Sequence, residues 1–127
     1  MNYKEVEEKL KQIKIEDYIW IIYIFIIIFS FYSNYLEKKY YLYNDQISKE
    51  KYRKILIGIF SILFLVYLYF LKDSYNDFNK LKVTDSEKKK NLITLSFIGS
   101  LLIAISGLIF LYIAIEDEDL NVELAFN

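Results

Sequence analysis

The sequence predicts an all-α integral membrane protein: an antiparallel bundle of three transmembrane helices, preceded by an amphipathic, heptad-patterned helix. Three stretches of 19, 17 and 25 residues, at 18–36, 55–71 and 91–115, hold no charged side chain. Each is near the roughly 20 residues that a helix needs to cross the hydrocarbon core. All 16 lysine and arginine residues and all 17 aspartate and glutamate residues lie outside them. A bilayer demands that segregation, since a charge at the centre of a spanning helix costs about 2.5–3.5 kcal/mol on insertion scales. The connections at 37–54 and 72–90 are too short to fold as domains of their own. Successive spans should therefore run up, down and up, as one membrane domain over 1–127.

Residues 1–17 are expected to form a cytoplasmic amphipathic helix. Tyr3, Val6, Leu10 and Ile13 are spaced three, four and three apart, the a/d pattern of two heptads. Glu5–Lys9 and Glu7–Lys11 are i,i+4 pairs in the favourable orientation. Such a stripe suits self-association, packing on the second connection, or lying flat on lipid. Self-association is preferred, because a lipid-surface helix favours bulky rings beneath a basic face, and here the charges balance. Two heptads are too short to hold together in water, but tethering to membrane helices raises the local concentration.

The first span, 18–36, places Tyr18 and Trp20 at one end and Tyr32 and Tyr35 at the other, an aromatic belt at both interfaces. Mixed charges before it, and no small-residue cleavage site after it, read as an uncleaved span. Asn44-Asp45 is the expected turn to the second span, with helix on both sides. That span, 55–71, covers about 25 Å, and Arg53, Lys54 and Lys72 can snorkel to make up the difference. The next turn should fall between residues 76 and 83. Thr84-Asp85-Ser86-Glu87 reads as a capping box with Thr84 as N-cap and Glu87 at N3. A helix over 85–115 would be about 46 Å long, so its first turns, with Lys88, Lys89 and Lys90, should project into the cytoplasm. The tail, 116–127, opens with Glu116, Asp117, Glu118 and Asp119, which oppose the helix dipole and should fray the helix end. Val122, Leu124 and Phe126 after them suit a short docking peptide for a protein partner.

Orientation follows from lysine and arginine. The N-terminal arm and second connection hold ten, the first connection and tail six. The positive-inside rule then places the N-terminus in the cytoplasm and the C-terminus outside a plasma membrane. Abundant Ile, Lys, Asn, Tyr and Phe also fit the codon bias of an AT-rich bacterial genome.

No chemical motif is present. Histidine and cysteine are absent, which removes the common metal ligands, the usual proton shuttle and any disulfide. Carboxylates are scattered over solvated arms, and no base accompanies the serines. A net charge of −1 offers no field for nucleic acid, and the lysines beside Tyr40, Tyr41 and Tyr43 read as an interfacial belt. No charge lies within a span, which argues against a pump or coupled carrier. Neither an enzyme nor a resident cofactor is therefore expected.

Within the spans one surface is patterned. Ser96, Gly99, Ser100, Ala104 and Gly107 are small, with Ser96, Ser100 and Ala104 repeating every four residues. A small face lets backbones approach, either as helix packing or, around an oligomer axis, as a wettable pore wall. In a ring of third spans the acids 116–119 would crown the lumen. The expected function is a small homo-oligomeric membrane protein that forms a pore or permeabilises the bilayer. The alternatives are a non-catalytic accessory or scaffold subunit of a larger membrane protein, and a membrane-anchored sensor for a soluble partner.

Overall fold

The computed structural model describes residues 2–124. Among them are three helices and no strand: α1 (Tyr3–Tyr43), α2 (Gln46–Asn79) and α3 (Glu87–Glu116). All three are long and apolar enough to cross a membrane. Their 41, 34 and 30 residues correspond to about 60, 50 and 45 Å, each longer than a hydrocarbon core of about 30 Å. Every helix thus continues past its uncharged stretch. Helices suit that environment because they satisfy their backbone groups internally.

The chain has no proline, and its three glycines lie at 58, 99 and 107, so nothing interrupts α1. The heptad-patterned residues 3–13 and the uncharged run 18–36 therefore lie on one unbroken helix. It begins with a capping box absent from the sequence reading: Asn2 Oδ1 accepts from the Glu5 amide at 2.8 Å, and Glu5 accepts from the Asn2 amide at 3.4 Å. It ends at Asn44, whose φ of 52° is left-handed, a conformation asparagine tolerates better than most residues. Asn44-Asp45 is the whole connection to α2, as expected from the sequence. Asp45 then serves the first turn of α2, accepting from the Ile47 amide at 3.2 Å and the Ser48 hydroxyl at 2.8 Å.

The start of α3 corrects one expectation. Its N-cap is Ser86, which accepts from the Lys89 amide at 3.1 Å, and not Thr84. Asp85 is occupied elsewhere: its carboxylate takes the Lys82 amide at 2.8 Å and the Lys89 ammonium at 3.2 Å, while its own amide donates to the Lys82 carbonyl. That closed turn over 82–85 holds Thr84 out of the helix, so Glu87 falls at the first helical position.

The chain divides into two units, one through Tyr52 and one from Arg53 onward. The first holds α1, the Asn44-Asp45 turn and the opening of α2. The second holds the rest of α2, the 80–86 loop and α3, and its two helices form a hairpin. Phe60 packs on Phe110, Ser74 meets Ser100, and Tyr75 and Phe78 both pack on Phe97. Numbers rise along α2 as they fall along α3.

Candidate functional site

The hairpin seam joins α2 and α3 through ring contacts, a hydroxyl pair and a close approach at Gly107. On α3 it runs through Phe97, Ser100, Ala104, Gly107 and Ala114, where Ala104, Gly107 and Ala114 are buried. The steps are three, four, three and seven, a 3.5-residue repeat. On α2 the facing residues are Phe60, Phe64, Tyr67, Ser74 and Phe78, stepping four, three, seven and four. Ring meets ring at Phe60–Phe110 and Phe78–Phe97, hydroxyl meets hydroxyl at Ser74–Ser100, and the rings of Tyr67 and Phe64 close over Gly107. At Gly107 the fit is closest: a Cβ there would lie 2.8 Å from Tyr67 Cδ2 and 3.6 Å from Phe64 Cδ1. Close approach of this kind is the usual role of small residues between membrane helices.

Of the five small residues singled out in the sequence, the seam takes Ser100, Ala104 and Gly107. Ser100 and Ser74 hydrogen-bond through their hydroxyls at 2.8 Å. Ser96 and Gly99 fall outside it. Ser96 is exposed, and open space surrounds the Cβ position of Gly99. Ser106, which the every-fourth-residue pattern missed, is exposed as well. With steps of three and seven, Ser96, Gly99 and Ser106 form a second small stripe, about 100° around the helix from the seam. Other hydroxyls in the spans are absorbed locally. Ser30 donates to the Ile26 carbonyl, Ser33 to Ser30, Ser61 to Ile57 and Thr94 to Lys90, all at 2.7–2.8 Å.

One end of the seam is held by Arg53. Its Nη2 donates to the Ile115 carbonyl at 3.1 Å, placing a cation at the negative end of the α3 dipole. Arg53 Nε is buried without a hydrogen-bond partner among the described residues. Regular helix stops at the first of the four acids, and Asp117, Glu118 and Asp119 lie beyond it. α3 runs to Glu116, and Asp117 folds the chain back by accepting from the Asn121 and Val122 amides at 2.9 and 2.8 Å. Those two bonds, the larger causes, and nearby Arg53 hold the Asp117 carboxyl below its ordinary value. In the apolar end Leu124 is buried and Val122 exposed, while Phe126 lies outside the described residues.

The other end is basic and uneven. Lys72 and Asp73 directly precede Ser74, so the Ser74–Ser100 pair sets them beside the uncharged run of α3 rather than beside its lysines. Lys88, Lys89 and Lys90 lie further out, where Lys90 reaches the Val83 carbonyl at 3.1 Å and Glu87 at 3.6 Å. The Lys82 amide, then the Lys89 side chain, lower the Asp85 carboxyl from its usual value. Between the helices at this end lies a cavity of about 340 Å³, lined by Leu68, Leu71, Lys72, Tyr75, Phe97 and Leu101.

In the first unit, the heptad stripe of the arm is uncovered. Tyr3 is 85 % exposed, Leu10 60 %, Ile13 43 % and Val6 39 %. Among the described residues no group of carboxylates is placed so that it could hold a metal. Comparison with protein-family models, curated proteins and solved structures finds no match.

Proposed function

We propose that the protein is a multi-pass plasma-membrane protein that works as a homo-oligomer and permeabilises the bilayer. One observation carries the reading: Tyr3, Val6, Leu10 and Ile13 form an apolar stripe that the chain leaves open. The stripe sits on a helix continuous with a candidate span, so it is presented rigidly and at a fixed height. Copies tethered in one membrane would meet at high effective concentration, which offsets the shortness of two heptads. Ser96, Gly99 and Ser106 supply a second contact surface between copies, or the hydroxyl-bearing wall of a lumen. The three spans alternate in direction, with the N-terminus in the cytoplasm and the C-terminus outside.

Reconstitution tests this directly. Protein purified in mild detergent should run as a discrete oligomer and release a small dye or ions from liposomes. Leu10→Asp with Ile13→Asp should yield monomers that insert but release nothing. A wild-type monomer without flux contradicts the proposal. That result would favour the second reading, a non-catalytic accessory subunit of a larger membrane protein. In its favour, Ser100, Ala104 and Gly107 are consumed inside the hairpin, which leaves less small-residue surface for a pore wall. Orientation is checked separately: a reporter active only outside the membrane should work when fused after Asn127, and fail in the 80–86 loop.

A further inference from the structure

The cavity at the basic end of the hairpin has a definite chemical character. Leu68, Leu71, Lys72 and Tyr75 step three, one and three along α2 and share one face, while Phe97 and Leu101 supply the facing wall from α3. Five of the six are apolar or aromatic, and Lys72 is the one charge. At about 340 Å³ the space falls within the usual size of a ligand pocket. It is open rather than enclosed, as a slot for a chain would be.

Its depth matters as much as its lining. Residues 55–71 of α2 are uncharged, so Lys72 marks where that helix leaves hydrocarbon. The Ser74–Ser100 pair puts this same level within the uncharged 91–115 run of α3. An apolar wall and a cation therefore meet at headgroup depth. By helix geometry Asp73 and Asp77 lie about 100° and 140° around α2 from Lys72, off the face that lines the slot. Lysine near the surface attracts anionic lipid, and residues 72–90 as a whole stay net positive, with six lysines against Asp73, Asp77, Asp85 and Glu87.

We propose that this slot is a binding site for one anionic phospholipid, its acyl chain between Leu68, Leu71, Phe97 and Leu101 and its phosphate against the Lys72 ammonium. The inference rests on the membrane reading above, but not on oligomerisation or permeabilisation.

Lipid retention measured by native mass spectrometry on the full chain tests it, with phosphatidylglycerol and phosphatidylcholine of identical acyl chains as probes. The proposal expects one phosphatidylglycerol per chain, retained about fivefold better than phosphatidylcholine. Lys72→Gln should abolish the preference, Lys88→Gln should keep it, and Leu101→Trp should lower retention of both lipids by filling the slot. Excess inorganic phosphate should not compete, because it lacks the acyl chain. Equal retention of the two lipids, or equal loss in the Lys72 and Lys88 variants, overturns the proposal. Lys72→Gln alters an exposed side chain and keeps the test valid if Leu101→Trp misfolds. Alkaline extraction of the same membranes separates the two failures. A wild-type chain that washes out refutes the membrane reading, whereas one that stays in and shows no lipid preference refutes only this site.

Discussion

Glycine 107 and glycine 99 occupy the same helix and the same sequence pattern, yet they meet opposite surroundings. At Gly107 an added methyl would strike Tyr67, so the ring or the helix must move. Gly107→Ala should destabilise the hairpin by about 1–3 kcal/mol, the usual range for overpacking. Gly99→Ala meets nothing within 4 Å and should stabilise by about 0.5–1 kcal/mol through reduced backbone freedom. Reversible unfolding of both variants in mixed micelles measures the pair, and equal effects would contradict the seam. Ser100→Ala removes one interhelical hydroxyl bond and should cost about 0.6 kcal/mol. Small residues were legible in the sequence as packing residues. Their partition was not, because the four-residue repeat of Ser96, Ser100 and Ala104 competes with the 3.5-residue repeat of Phe97, Ser100, Ala104 and Gly107. Only the partner helix decides between them. Nor did composition disclose that Arg53, on a different helix, would reach the Ile115 carbonyl.

At the level of elements, the turn at Asn44-Asp45 was readable because few residues accept a left-handed backbone, and asparagine is one. The run of α1 up to that turn was readable too, since Glu37, Lys38, Lys39 and Leu42 are good helix formers. Thr84 and Ser86 are both competent caps, and local sequence could not choose. Asp85 chose, by closing the turn onto Lys82. Its pKa is lowered in the folded turn, so protonation opposes that turn. The stabilisation is present above the unfolded value, near 3.8, and is lost as pH falls through the lower folded one. Exchange of the Lys82 amide should therefore stay protected to below the ordinary aspartate range and then rise. Asp85→Asn should flatten that dependence. The same sign applies to the Asn121 and Val122 amides held by Asp117. On α1, substitution of Leu10 and Ile13 by aspartate should leave helicity unchanged, because both side chains are exposed. Circular dichroism checks that the arm remains helical while oligomer size falls.

Taken whole, the molecule is three long helices whose large apolar side chains mostly face outward. Trp20 is 64 % exposed, Phe31 74 % and Leu65 65 %, which only an apolar surrounding makes favourable. This scale was the most legible, because uninterrupted charge-free runs need no partner to be recognised. Function was the least legible, since histidine and cysteine are absent and the proposed assembly would depend on surfaces that other molecules cover. The spanning of a bilayer by all three helices is the central claim. The absence of native cysteine makes it directly measurable. Single cysteines at Lys4, Asn44, Lys82 and Asn121 can be labelled from one side of sealed vesicles with a membrane-impermeant maleimide. Three crossings predict that Lys4→Cys and Lys82→Cys react from one side, and Asn44→Cys and Asn121→Cys from the other. Labelling of all four from the same side would contradict the account.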